Sequence, residues 1–345
     1  MKLKQLYIKL TSWEYWPMWV LYVPVFLQHY WLSVKAKSLF YFLKVNPAIG
    51  EGFILSDTKY TTLQLVPEVY RPKTVLIAKG STLKALKATL QDNNLHFPII
   101  VKPNIGFRGL LVHLCKNEED LKGIHFNKAD YIVQEYIAYP VEVGIFYYRF
   151  PNKISGQIPS ITLKEFLTVT GNGTHTLEEL IKEKPRALLQ YKKLEKKFKH
   201  KWHYVVPEGK TIKLETIGNH NRGTKFINGN AILDNQLLKV FDDLNGQMPG
   251  FFYGRFDIKA KSINDLKHGK NFKILEVNGI GAEPTHIYDP SYKLFNAWKE
   301  MLHLWKVAYQ IAMLNKEKGE KFPVFSEAKK RYLQYKNYKK IAFTH

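Results

Sequence analysis

One cysteine, Cys115, occurs in 345 residues, which excludes an intramolecular disulfide and frees the fold from any dependence on an oxidising compartment. Acidic residues are scarce beside basic ones. Asp and Glu number 30 against 52 Lys and Arg, a formal net charge of +22. Such an excess implies an anionic partner: a phosphate-bearing substrate, acidic lipid or nucleic acid. Charge alone does not choose among these. The basic residues are dispersed and no recognised nucleic-acid-binding module occurs, so nucleic acid is not an expected partner. Internal repeats and low-complexity linkers are also lacking. A hydrophobic fraction of 45% excludes a disordered chain, and the length suffices for two or three lobes.

Formal charge is missing altogether from Tyr15 to Val34, where Trp16, Trp19, Tyr22, Phe26, Tyr30 and Trp31 gather. About twenty such residues suffice to span a bilayer. Pro17 and Pro24, the polar Gln28 and His29, and aromatics spread throughout rather than in two belts favour a segment lying in the membrane interface. A true span and a soluble core element remain the alternatives. Lysines flank both ends (Lys2, Lys4, Lys9, Lys35, Lys37) and assign no orientation, and the lack of a small-residue cleavage site argues against a signal peptide. Between Tyr292 and Leu314, Leu294, Trp298, Met301, Leu302, Trp305, Tyr309 and Ala312 recur at helical spacing, with Lys293, Lys299, Glu300, Lys306 and Gln310 opposite. This amphipathic helix, ended by Gly319 and Pro323, either packs on the domain or joins the aromatic N-terminus in facing an acidic membrane. The basic stretch from Lys329 to Lys340 would strengthen attachment to anionic lipid.

The middle of the chain has the texture of an α/β protein. Val75–Ala78 reads as a short strand, Thr82–Leu90 as a helix and Phe97–Pro103 as a strand ending beside Lys102. The following Asn104-Ile105-Gly106-Phe107-Arg108-Gly109 is either a plain hairpin or a flap whose glycines let the backbone approach phosphate, with Lys102 and Arg108 as cations. Asp130–Ile137 is an apolar strand running into a polar-aromatic junction, and Gln134 to Ile137 offer adenine both apolar faces and backbone edges. Glu142 is placed either in solvent or against ribose hydroxyls. Gly254-Arg255-Phe256-Asp257-Ile258 and Ile274-Leu275-Glu276-Val277-Asn278 read as buried strands with hard oxygen donors at their polar positions. Glu276 and Asn278 lie two apart and so share a strand face. With Asp257 they form a donor set suited to Mg²⁺. Ordinary surface strands are the alternative reading.

In order and spacing these pieces, with Asp57-Thr58-Lys59 leading a helix, resemble the ATP-grasp superfamily, chiefly its D-alanine–D-alanine ligase and cyanophycin-synthetase-like branches, from about Asp57 to Tyr288. The resemblance implies an α+β ATP-grasp fold, with two α+β lobes sandwiching ATP. The expected organisation is an aromatic, membrane-interface segment at 1–56, an N-lobe at 57–130, a C-lobe with the metal site at 131–290 and an amphipathic helical tail at 291–345. It further implies ATP and two Mg²⁺ as cofactors. Lys59 and Lys102 would sit on the phosphates, the Gly106–Arg108–Gly109 loop would close over them, and Gln134, Glu135, Tyr136 and Ile137 would hold the adenine. Glu142 would meet the ribose, and Asp257, Glu276 and Asn278 would hold the metal. Arg255 would stabilise the transferring phosphoryl group, with Arg222 and Lys225, in the polar loop around His220, as carboxylate or phosphate donors. His220 itself reads more readily as structural.

Implied chemistry is ATP-dependent joining of a carboxylate to an amine through an acyl phosphate, and the aromatic segments add the expectation of a peripheral place at the cytoplasmic face of a membrane and of a lipid-linked or amphiphilic substrate. The other reading is a non-catalytic membrane-surface binding protein on the same fold. Two departures from the relatives stand out. The sizeable domain that precedes the core in D-alanine-condensing ligases is replaced by aromatic residues 1–56, and the usual Pro-Gly after the metal-binding Asn gives way to Gly279–His286. D-Alanine specificity is therefore not expected. Val169–Leu180 resembles a Gly-rich turn of the cyanophycin-synthetase-like ligases, with Thr176 and Glu179 forming a capping box, and Leu188–Trp202 reads as a basic helix.

Overall fold

The computed structural model describes residues 1–49, 58–106, 111–216 and 218–343. Asp57, named above as leading a helix, and Phe107, Arg108 and Gly109 of the glycine loop lie outside the described residues. The chain opens with three helices, α1 (Lys2–Thr11), α2 (Met18–Leu21) and α3 (Val23–Ala36). After α4 (Lys59–Gln64) come β1 (Thr74–Ile77), α5 (Leu83–Asp92), β2 (Ile99–Pro103), β3 (His113–Cys115) and β4 (Tyr131–Glu135). These strands form one antiparallel sheet in the order β1-β4-β2-β3. Thr82 caps α5 by accepting from the Ala85 amide, and the helix lays Leu86 and Leu90 against Ile99, Val101 and Val133. β2 and β3 pair antiparallel on either side of the glycine loop, the flap-like hairpin expected there. Because β4 sits between β1 and β2, the passage between lobes falls after Glu135 rather than at 130/131.

The second sheet contains β5 (Val141–Tyr148), β6 (Gln157–Glu165), β9 (Lys225–Asn228), β10 (Tyr253–Ala260) and β11 (Phe272–Asn278), in the order β11-β10-β5-β6-β9. A small ribbon of β7 (Thr168–Thr170) and β8 (Thr211–Lys213) encloses α6 (Leu177–Glu183), α7 (Pro185–Leu189) and α8 (Tyr191–Lys197) in sequence. α6 starts with the Thr176–Glu179 capping box. The basic helix expected over 188–202 is broken at Gln190, because Leu188, Tyr191, Leu194 and Trp202 must all turn into one small core while the lysines stay in solvent. α9 (Asn235–Gly246) and α10 (Ile263–Lys267) cover one face of the large sheet, with Leu237, Phe241, Leu244 and Leu266 against Val143, Ile145, Phe256 and Ile258. Strand alternation sends the opposite set, Glu142, Gly144 and Phe146 with Asp257 and Arg255, to the other face.

Two long helices close the chain, α11 (Leu294–Glu317) and α12 (Phe325–Phe343). α11 buries Met301, Leu304, Val307, Ala308, Ile311 and Ala312 and packs on α3 and the turn Tyr41–Lys44, where Tyr41, Leu32 and Ala36 join the same cluster. Its amphipathic face is thus spent on the protein itself. Half of the N-terminal aromatic run does likewise: Leu21 and Val25 pack with Ile287 and Met301. Trp19, Val23, Phe26, Leu27, Tyr30, Trp31 and Val34 form the other half and are exposed. Among the described residues no helix is long and apolar enough to cross a membrane.

Candidate active site

Two sheets meet where β2 and β4 of the first approach β11 of the second. Lys102, near the end of β2, is buried and donates its Nζ to Gln134 Oε1 at 3.1 Å and to the Leu275 carbonyl at 3.3 Å. Gln134 Nε2 donates in turn to Thr74 Oγ1 at 3.1 Å and to the Leu275 carbonyl at 3.4 Å. Burial pulls the Lys102 ammonium down to about 8; nearby Glu276 opposes that shift and Lys59 adds to it. Lys59, at the start of α4, pairs with Glu276 Oε1 at 2.6 Å and donates to the Gly106 carbonyl at 3.3 Å. Its backbone amide donates to the Asn104 carbonyl. The helix, the glycine loop and the acidic strand are therefore tied at one point.

Across β10 and β11, Asp257 stands opposite Glu276 and Arg255 opposite Asn278. Asp257 is the most crowded group in the cleft. Its Oδ2 accepts from Arg255 Nη2 at 3.1 Å and from Asn278 Nδ2 at 3.0 Å, and its Oδ1 accepts from Lys164 Nζ at 3.0 Å. Lys164 Nζ also donates to Glu142 Oε1 at 3.0 Å. Burial alone would raise the Asp257 carboxyl, but Arg255 and Lys164 outweigh it and hold it well below the usual carboxylate range. Glu276 is treated the same way, with burial opposed by Lys59 and Lys102 and the net shift downward. Three carboxylates (Glu142, Asp257, Glu276) are thus interleaved with four cations (Lys59, Lys102, Lys164, Arg255). The surplus is positive, as an anion site requires.

The junction after β4 is arranged differently from a simple slot. Glu135 turns outward, accepting from the Lys73 amide at 3.2 Å. Lys259 of β10 lies 5.2 Å from the Tyr136 ring centroid and donates to the Ile137 carbonyl at 3.0 Å. The Glu142 carboxylate lies against Gly218, where any Cβ would collide with it. Two expected donors are not brought to this cluster. Arg222 lies in a turn, its Nη1 3.5 Å from Glu215 Oε1, and its charge helps burial lower His113 on β3. Lys225 is paired across β9 and β6 with Glu165, 3.8 Å away. Glu165 alternates with Lys164, which sends Lys225 to the face away from Asp257. His220 holds Glu14 of the N-terminal segment at 2.9 Å, together with Arg186 at 2.5 Å.

Lys164 was not among the residues expected from the sequence. The signal that would have revealed it is the alternation in Ser160-Ile161-Thr162-Leu163-Lys164, which puts a lysine on the polar side of an otherwise buried strand. Glu283 was missed as well. Its main-chain carbonyl accepts from Arg255 Nη1 at 3.4 Å, while its carboxylate accepts from the Tyr22 and Tyr288 hydroxyls.

The donor chemistry fits a hard divalent cation that arrives with its own phosphate oxygens. Asp257 and Glu276 are opposed and kept ionised, and Asn278 retains its amide oxygen while its Nδ2 binds Asp257. Mg²⁺ is commonly held by one or two carboxylates plus substrate phosphates. No group of three or more His, Cys, Asp and Glu arranged to hold a metal by themselves occurs among the described residues.

The two sheets thus meet with Lys59 and Lys102 on one side and the acid-bearing strands β10 and β11 on the other, an arrangement like that of the ATP-grasp fold. Residues 56–155 match the RimK-like ATP-grasp domain. Among solved structures the chain is similar to a bifunctional glutathione synthetase from Pasteurella multocida, at 15% identity and a TM-score of 0.41, covering 71% of this chain and 36% of that one. It is also similar to D-alanine–D-alanine ligase from Bacillus anthracis, at 14% identity and a TM-score of 0.42, covering 75% and 69%. A third similarity is to VanG D-Ala:D-Ser ligase from Enterococcus faecalis, at 14% identity and 0.42, covering 73% and 61%. The chain therefore spans little more than a third of the length of the glutathione synthetase. No curated protein sequence matches it.

Proposed function

We propose that the protein is an ATP-dependent carboxylate–amine ligase. A substrate carboxylate oxygen attacks the γ-phosphorus and ADP leaves; the amine nitrogen then attacks the acyl carbon and phosphate leaves. The observation that carries this reading is the cluster of four cations interleaved with Glu142, Asp257 and Glu276 where the two sheets meet. Lys59 and Lys102 are suited to the β- and γ-phosphates, and Arg255 to the charge that develops on the phosphoryl group. Asp257, Glu276 and Asn278 would hold Mg²⁺, two ions in the full reading, which when bound neutralise charge on the phosphates. The junction Gln134–Ile137 would take the adenine, and Glu142, once released from Lys164, the ribose. The test is Mg²⁺-dependent ADP release by wild type and Asp257→Asn with pooled acids, amines and membrane extract. Release that needs one pool and vanishes in the variant supports the ligase; no release and no ATP binding sinks it.

The exposed stripe Trp19, Val23, Phe26, Leu27, Tyr30, Trp31 and Val34, with Lys35 and Lys37 at its end, supports a peripheral attachment to the anionic inner face of a membrane and a lipid-linked or amphiphilic substrate. Co-sedimentation with phosphatidylglycerol vesicles but not phosphatidylcholine vesicles, lost in a Trp19→Ser, Phe26→Ser, Trp31→Ser triple variant, is the expected result. Equal pelleting of that variant would exclude the stripe.

A further inference from the structure

Glu283 is a carboxylate with no cation within ion-pair distance among the described residues, Arg255 acting on it only from further off. It is half-buried, and its two oxygens accept from the hydroxyls of Tyr22, at 2.5 Å, and Tyr288, at 3.0 Å. Among the described residues no Lys, Arg or His nitrogen forms an ion pair with it, although the chain carries 52 Lys and Arg. Two phenols use two of the roughly four lone-pair directions of a carboxylate. The remainder, in a site partly withdrawn from water, calls for a positive group.

The surroundings are aromatic. Tyr288 lies between Trp13, at 5.8 Å between ring centroids, and His220, at 5.4 Å. Tyr22 touches Phe26 at 5.9 Å, and Phe26 belongs to the exposed apolar stripe. Burial first, then Glu283 itself, pushes the Tyr22 phenol well above its ordinary value, so it stays a donor. The two phenols that hold the carboxylate are themselves packed among aromatic rings, surroundings that suit an ammonium group bound beside it. The same residue reaches the reaction centre through its backbone, because its carbonyl accepts from Arg255 Nη1 at 3.4 Å. Any cation on the carboxylate is therefore held close to the group that would stabilise the acyl phosphate.

We propose that Glu283, held by Tyr22 and Tyr288, binds the ammonium group of the amine substrate and takes up its proton as the nitrogen, freed to use its lone pair, attacks the acyl carbon and phosphate leaves. The apolar body of the amine runs along Tyr22 and Phe26 to the exposed face of α2 and α3. The substrate class is thus a primary amine on an aliphatic or lipid-like chain. This rests on the ligase reading and adds to it the identity of the amine partner. Tyr22 comes from the aromatic N-terminal segment, so that segment supplies a wall of the active site as well as an outer surface.

The test is calorimetric titration of the full chain, loaded with Mg²⁺ and a non-hydrolysable ATP analogue, with n-octylamine, n-octanol and sodium octanoate. Wild type is expected to bind octylamine at least tenfold more tightly than octanol, with octanoate weakest. Glu283→Gln is expected to erase the preference for octylamine over octanol. Equal binding of octylamine and octanol by wild type overturns the proposal without any variant, as does a preference for octanoate. A preference that survives in Glu283→Gln overturns it too. Failure of wild type to bind the nucleotide analogue is a separate result, and it removes the ligase reading instead.

Discussion

Asp257 and Glu276 face each other directly across β10 and β11, and each is held by a different pair of cations: Arg255 and Lys164 for the first, Lys59 and Lys102 for the second. Two buried carboxylates this close would ordinarily disfavour each other's ionisation. Here Asp257 takes its cations from its own sheet, whereas Glu276 takes both of its cations from the other lobe, so its charge pairs across the junction. The cleft is therefore held together by the same groups that would bind nucleotide.

Replacing Glu276 should act on both roles. Glu276→Gln removes the ion pair to Lys59, whose side chain is largely shielded, and one metal donor. Mg²⁺-nucleotide affinity is expected to fall at least tenfold, about 1.4 kcal/mol, while binding measured in EDTA changes far less. Equal losses with and without Mg²⁺ would remove Glu276 from the metal site.

Lys102 predicts two opposite pH trends. Its ammonium is lowered by burial to about 8, so phosphate binding should weaken as pH rises through 8, by up to about tenfold per unit. Folding stability should move the other way. The folded-state value lies below that of the unfolded chain, so between about 8 and 10.5 the unfolded state binds more protons and stability rises with pH. Lys102→Arg should flatten the binding curve because a guanidinium stays charged. Fluorescence titration of a labelled nucleotide from pH 7 to 10 checks the binding trend, and urea denaturation over the same interval checks the stability trend.

Lys164 is predicted to be structural as well as electrostatic. Lys164→Met leaves Glu142 and Asp257, side chains only 11% and 15% exposed, without their shared cation. Breaking a buried pair from one side costs about 3 kcal/mol, and Arg255 keeps the loss for Asp257 near that lower figure. Urea denaturation at pH 7 measures it; a loss under 1 kcal/mol would mean that water or Arg255 replaces the lysine fully.

His286 sets an acid limit. It is fully buried, neither ring nitrogen has a hydrogen-bond partner among the described residues, and burial lowers it to about 4 against an opposing effect of Asp289. The folded value lies below the unfolded one, so the unfolded state takes up the proton first. Stability contributed by the neutral ring is complete above about 6.5 and is lost as pH falls towards 4, by up to about 3 kcal/mol. In His286→Leu the slope of denaturation midpoint against pH should shrink over that interval; an unchanged slope would show that the histidine is hydrated or paired.

Much of this molecule is legible in its local pattern. Alternation of apolar and polar residues identifies β10 and β11 and places Glu276 and Asn278 on one face, since a strand has no other way to arrange residues two apart. Thr176 and Glu179 mark the start of α6 for an equally local reason, the reach of one side chain to an amide three residues on. What the pattern could not decide is which strands become neighbours. Lys59 meets Glu276 across 217 positions, and Tyr22 meets Glu283 across 261. Lys164 reaches Asp257 only because β5 lies between β6 and β10. Lys225 shows the reverse case: a cation in the right stretch of chain that strand alternation turns to the wrong face. Aromatic residues 15–34 divide in the same way. Their composition is a property of the sequence, but packing of α3 on α11 decides which rings enter the core and which are left outside. Local steric and hydrogen-bonding rules act over a few residues and can be read from the chain, whereas pairing between distant carboxylates and cations exists only once the sheets have assembled.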